Sequence, residues 1–150
     1  MRLIALTLLT LVPAALLSCR QNDAPDEATE LLERVRDQDY TAWQRAPGFG
    51  SRTPSDAPHS DQVEIFVNDV VGDALAADEP LTEWPEGSII VKDGYTDDGE
   101  LALIAVMAKR STGWFWAEYD ADDAPLYSGV PDVCVDCHDS GSDFVRAFGF

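Results

Sequence analysis

The sequence predicts an α+β domain, a mainly antiparallel β-sheet with short flanking helices, and three observations carry that prediction. Gln62 to Asn68 alternates, Val63, Ile65 and Val67 facing one way and Glu64 and Asn68 the other, as in a half-buried strand. Leu101 to Lys109 is apolar on both faces, which suits the central strand of a sheet. Ser111-Thr112-Gly113 then turns the chain, and Trp114 to Tyr119 returns as an aromatic strand. With Ser88 to Lys92 as a further strand, ended by the turn signal Asp93-Gly94, this makes a meander of about four antiparallel strands.

Helices fill the intervals. Leu31, Leu32 and Val35 recur at helical spacing between Thr29 and Arg36, and Asp39 is placed to cap a second short helix carrying Tyr40 and Trp43. Residues 47–61, rich in Pro, Gly and Ser, read as a loop, with His59 a solvated loop histidine. Asn68 caps a short helix through Ala77 whose inner face is Val71, Ala74 and Leu75. Asp78 to Gly87 is turn-rich and residues 120–133 form a loop. Phe144, Val145, Phe148 and Phe150 make the tail too apolar to hang free. No internal repeat is present.

Composition narrows the function. The chain of 150 residues allows one domain, its 45% hydrophobic content allows a core, and its net charge is −18. That charge argues against nucleic acid, whose binding needs clustered Lys and Arg, and suits a basic protein partner. Met1-Arg2 followed by the apolar run Leu3 to Leu17 is a targeting segment, too short to span a membrane comfortably. It ends in Leu16-Leu17-Ser18-Cys19, which resembles a bacterial lipobox. The expected organisation is a lipoprotein signal peptide over 1–18, a lipid anchor at Cys19 with a flexible tether over 19–28, and a domain over 29–150. An ordinary secretory signal with Cys19 incidental is the alternative. The chain is placed in the bacterial cell envelope, facing the periplasm; Arg20, where an aspartate would mark inner-membrane retention, points to the outer membrane.

The chemistry lies in Cys134-Val135-Asp136-Cys137-His138, a C-x-x-C-H run. Two thiols three residues apart can each add to a vinyl group of one haem, and the next histidine is then its proximal ligand. One covalent haem c is the expected cofactor, held by Cys134 and Cys137 with His138 on the iron. A redox disulfide or half of a zinc site are the alternatives. With Cys19 assigned to lipid, no cysteine is left for a structural disulfide.

The motif and the strands together resemble the cytochrome P-460 family and its relative cytochrome c′-beta. The resembling pieces are Ile65 to Asn68, Trp84 to Gly94, Val106 to Lys109, Gly113 to Tyr119, the C-x-x-C-H run and Ser142 to Val145, over roughly residues 62–147. The resemblance implies a mainly antiparallel β fold, often dimeric, and a five-coordinate haem with an open distal side. In cytochrome P-460 a lysine is joined to the haem edge and the enzyme oxidises hydroxylamine; that position matches Lys92, followed here by Asp93 where the family usually has glutamate. The distal carboxylate such oxidation needs has no counterpart in these motifs, and Glu100 and Glu118 are candidates by position only. In cytochrome c′-beta the link is absent and the haem binds nitric oxide or similar gases.

Three functions follow: an oxidoreductase for hydroxylamine or a related small nitrogen compound, a nitric-oxide-binding protein, and a monohaem electron carrier docking a redox partner on its acidic surface. The carrier needs a sixth ligand, for which Met107 or His59 is available, although Met107 aligns with Leu101 and Leu103 as ordinary core. Trp114 and Trp116 share a face and wall either a haem pocket or the sheet core. Lys109 and Arg110 either pair with haem propionates or end the strand in solvent.

Overall fold

A computed structural model describes residues 21–56 and 58–150. The fold is α+β: three short helices around one open antiparallel sheet of seven strands. In chain order these are α1 (Pro25–Asp37), a 3₁₀ turn (Tyr40–Ala42), β1 (Gln44–Arg45), β2 (Thr53–Pro54), β3 (Gln62–Val67), α2 (Asp69–Ala76), β4 (Ile89–Tyr95), β5 (Leu101–Arg110), β6 (Gly113–Asp120), β7 (Pro125–Gly129) and α3 (Asp132–His138). The strand order is β1-β3-β4-β5-β6-β7, and β2 also pairs with β3. The signal segment predicted over 1–18 and the lipid site Cys19 lie outside the described residues.

The predicted meander is present as β3 to β6, with corrections at its margins. The loop expected over 120–133 contains β7. This strand opens on Pro125, which needs no ladder donor at a strand's first residue, and closes on Gly129 at φ +94°, so little patterned sequence lies between. Residues 21–24, expected to be tether, lie along β7: Ser128 donates its backbone N–H to the Gln21 carbonyl at 3.1 Å, and Asp23 donates to the Ser128 carbonyl at 3.2 Å. They cover a sheet edge that would otherwise be open. The first helix starts at Pro25 rather than Thr29, with proline at its first turn, Asp26 and Glu27 beside it, and Arg34 and Arg36 in the last turn.

The sheet separates two apolar layers. On one face α1 lays Ala28, Leu31, Leu32 and Val35 over Phe66, Val91, Ile104, Val106, Phe115, Ala117 and Tyr119. On the other, Val63, Ile65, Val67, Ile90, Met107, Trp114 and Trp116 pack with α2, Trp84 and the C-terminal Val145 and Phe148. The tail is therefore part of the core, as its composition predicts. Asn68 caps α2 as predicted, accepting from the Val71 N–H at 3.3 Å, and its side chain also ties α2 to the start of β4.

Strand β4 runs past the Asp93-Gly94 pair, so that pair is not a turn and Lys92 is not at a strand end. Asp93 points into the α1 layer, 3% exposed. There it accepts from the Tyr40 hydroxyl at 3.0 Å, and the Tyr95 hydroxyl lies 3.4 Å from its other oxygen. The chain turns instead at Thr96 to Gly99, closed by Gly99 N–H to the Thr96 carbonyl at 2.9 Å.

Burial pushes the Asp93 carboxyl up to about 6, although the two tyrosine hydrogen bonds pull it down. A carboxyl raised on folding contributes stability that is fully present below its unfolded pKa and is lost as pH rises through the folded one. Asp93→Asn, neutral throughout, is therefore expected to be more stable than the parent above pH 6, by up to about 3 kcal/mol, the difference shrinking towards pH 4. Urea unfolding at pH 4.5 and 7.5 measures this; a difference independent of pH contradicts it.

Candidate functional site

Helix α3 carries the whole C-x-x-C-H run. Residues 134, 137 and 138 are spaced i, i+3 and i+4, so Cys134, Cys137 and His138 share one side while Asp132, Val133 and Asp136 face solvent. The helix has no side-chain cap of its own; Gln21 supplies one from a distance, accepting from the Asp132 N–H at 2.6 Å. At its other end Arg146 donates to the Cys137 carbonyl at 2.9 Å. Cys134 packs against the second core layer, and the His138 ring stands edge-on to Trp116 with centroids 4.8 Å apart.

Cys134 and Cys137 are free thiols. Burial, then the nearby Glu118 and Cys137, push the Cys134 thiol up to about 11, so it is held protonated. Reactive redox cysteines have the opposite environment, one that lowers the thiol pKa. Nδ1 of His138 lies 2.8 Å from the Phe144 carbonyl. A carbonyl only accepts, so Nδ1 carries the proton and Nε2 is the nitrogen with a free lone pair. Burial holds the His138 pKa below its usual value, the Phe144 carbonyl opposing it and Lys92, His59 and Arg146 adding to it.

Strand register brings two of the predicted residues to this place. Lys92 of β4 is opposite Ala105 of β5, and Ala105 is opposite Glu118 of β6. Both long side chains thus rise on one face of the sheet, separated by a methyl group, about 10 Å apart at the backbone for two strand spacings. Burial lowers the Lys92 pKa, with Glu118 and then Cys137 pulling the other way. His59 joins them: its Nδ1 is 2.9 Å from a Glu118 oxygen, although not aligned as a hydrogen bond, and its ring centroid is 6.2 Å from that of His138. The predicted solvated histidine is half-buried instead.

The other candidates lie elsewhere. Glu100 is exposed at the β4–β5 turn, where its N–H meets the Thr96 hydroxyl, and does not approach the motif. Met107 is buried in the apolar layer opposite Ile90 and Trp116, as ordinary packing predicts. Lys109 pairs with Asp143 at 2.8 Å and Arg110 with Glu27 at 2.7 Å. Trp114 donates from Nε1 to the Asp143 carbonyl at 2.8 Å. Two shallow surface clefts, one between Arg34, Asn68 and Lys109 and one along Glu83 to Glu86, include no residue of the motif.

The site face is unevenly covered. At the Met107 end it is sealed by Trp84, Phe148 and α2, but Leu103 and Ala105 on the same face of the central strand are only half-buried. An apolar floor is therefore left partly open, bordered by Lys92, Glu118, His59, Cys134 and His138. Comparison of the chain with protein-family models, with curated proteins and with solved structures finds no match.

His59 is brought in by Gly94. A Cβ there would collide with the His59 carbonyl oxygen, so only glycine lets His59 and Ser60 sit against the sheet. Ser60 fastens it, donating to the Tyr95 carbonyl at 2.7 Å. Gly94→Ala is expected to cost about 1–3 kcal/mol of stability and to lift His59 from Glu118. Denaturant unfolding and the reactivity of His59 towards diethyl pyrocarbonate, mapped by mass spectrometry, measure both; no change in either contradicts the role of Gly94.

Proposed function

We propose that the chain is a c-type haem protein of the cytochrome P-460 type that oxidises hydroxylamine or a related small nitrogen compound. The observation that carries this reading is the convergence of Lys92 and Glu118 on the C-x-x-C-H helix, across strands remote from it in sequence. The residues fit a covalently held haem: two unpaired thiols and an imidazole on one side of α3, its Nε2 lone pair free, over a half-open apolar floor. Cys134 and Cys137 would hold the haem and His138 its iron.

When bound, the haem supplies an iron that takes electrons from the substrate. The chain supplies the rest. Glu118, half-buried beside the floor, accepts protons that the substrate releases as it is oxidised. His59 lies beside that carboxylate, its Nδ1 2.9 Å from a Glu118 oxygen. Lys92, on the site face opposite Ala105 and lowered in pKa by burial, would be the residue placed for a link to the haem edge. Leu103, Ala105 and Trp116 limit the water that reaches the site.

A second reading, nitric-oxide binding without the link, is favoured by one observation: Glu118 stands on the same face of the sheet, beyond Ala105 from Lys92, a carboxylate with which the Lys92 ammonium can pair instead. In either case Cys19 anchors the chain in the cell envelope, the domain faces the periplasm, and the acidic surface receives a basic redox partner; a homodimer belongs to the same resemblance. Among the described residues no helix is long and apolar enough to cross a membrane.

Optical spectra of the full chain, produced in a host that matures c-type cytochromes, test the reading. The reduced parent is expected to show a Soret band displaced far to the red, and Lys92→Arg a band without that displacement. Glu118→Gln is expected to keep the parent spectrum and lose about 10²–10⁴-fold in hydroxylamine turnover. A parent spectrum identical to that of Lys92→Arg moves the assignment to gas binding.

A further inference from the structure

Five residues after His138 the backbone does something costly. Asp143 has φ +44° and Phe144 φ +67°, two consecutive non-glycine residues in the left-handed region. That region is unusual for any side chain and an outlier for a bulky one. Such backbone persists only where its surroundings over-determine it.

The surroundings are specific. One Asp143 carboxylate oxygen, Oδ2, accepts from the Trp84 backbone N–H at 2.8 Å and from Lys109 Nζ at 2.8 Å. The Asp143 carbonyl accepts from Trp114 Nε1 at 2.8 Å, and the neighbouring Ser142 carbonyl from Trp84 Nε1 at 3.1 Å. Ser142 and Val145 exchange backbone hydrogen bonds across the pair at 3.0 and 3.1 Å. Gly141 allows the turn to close, since a Cβ there would lie 2.5 Å from the Val145 carbonyl. Two tryptophans, a lysine and a glycine thus hold one short turn.

What the turn delivers is the Phe144 carbonyl, 2.8 Å from His138 Nδ1. We propose that Asp143 is a positioning residue: clamped by Lys109 and the Trp84 N–H, it holds the left-handed pair that presents the Phe144 carbonyl to His138, fixing the imidazole as its Nδ1–H tautomer with Nε2 turned to the site. A metal-ligating histidine is set in this way, by the bond its other nitrogen makes. The proposal extends the haem reading to the proximal side, but the tautomer it predicts belongs to the chain alone.

The test is nitrogen NMR of the full chain, ¹⁵N-labelled at its two histidines and made without haem, with His59→Asn used for assignment. His138 is expected as the Nδ1–H tautomer in the parent and in Asp143→Asn, which keeps an acceptor for Trp84. In Asp143→Ala it is expected to move to the Nε2–H tautomer that free histidine favours. Lys109→Met leaves the Asp143 carboxylate in place while removing its ion pair, the longer one to Glu83 and the contact with the Trp114 ring, and serves if Asp143→Ala does not fold; its expected result is a mixture of the two tautomers. Loss of packing alone lowers stability without exchanging the tautomer. In the haem-loaded protein, the iron–histidine stretch of the reduced state is expected to fall in frequency in Asp143→Ala. A folded Asp143→Ala that keeps the Nδ1–H tautomer overturns the proposal, as does a parent with Nε2–H. Failure of the parent to take up haem bears on the proposed function only, since the tautomer is read without it.

Discussion

The register of β4 on β5 and of β5 on β6 is the constraint on which the site depends. It sets Ile65, Lys92, Ala105 and Glu118 in one row across four strands. Side chains alternate along a strand, so a slip of one residue would turn Lys92 into the α1 layer and Asp93 into the site. What prevents the slip is the pair of apolar layers. Val91, Ile104, Val106 and Ala117 are wanted by α1, and Ile90, Met107 and Trp116 by the tail and α2. The placement of two charged side chains is therefore enforced by the burial of uncharged ones.

The same layers explain why the site is open at one end. Trp84, Val145 and Phe148 fill the space over Met107, and the two N–H groups of Trp84 donate to the Asp143 carboxylate and the Ser142 carbonyl. Beyond that plug the floor of Leu103 and Ala105 is only half-buried, with α3, His59 and Ser60 nearby. Four elements distant in sequence contribute to the rim: β4, β6, the loop held by Gly94, and α3. Helix α3 is in turn capped by Gln21, so the segment ahead of α1 helps to seat the motif.

Local patterning made much of this legible, and it failed where distant contacts decide. The alternation of Val63, Ile65 and Val67 and the two-faced run at Leu101 mark their strands because burial imposes those periods. Asp93-Gly94 has the composition of a turn, yet Asp93 is satisfied by Tyr40 from a distant segment and Gly94 is needed for the approach of His59. β7 has too short a pattern to stand out, and its edge is covered by residues whose polar character suggests a tether. Cys134, Cys137 and His138 were visible as a motif, Lys92 through a resemblance, and Glu118 as a candidate by position only. His59 was visible only as a solvated loop residue or a possible sixth ligand, and Asp143 not at all, because a loop histidine and a tail aspartate carry little signal until the fold places Glu118, Lys109 and Trp84 beside them.

The proposed chemistry requires a covalent haem at α3. The most direct measurement is mass spectrometry of the peptide containing residues 134–138, from the full chain made where c-type cytochromes are matured. One haem is expected on that peptide, bonded through both Cys134 and Cys137. A peptide with two free thiols, or with the two cysteines joined to each other, would contradict it.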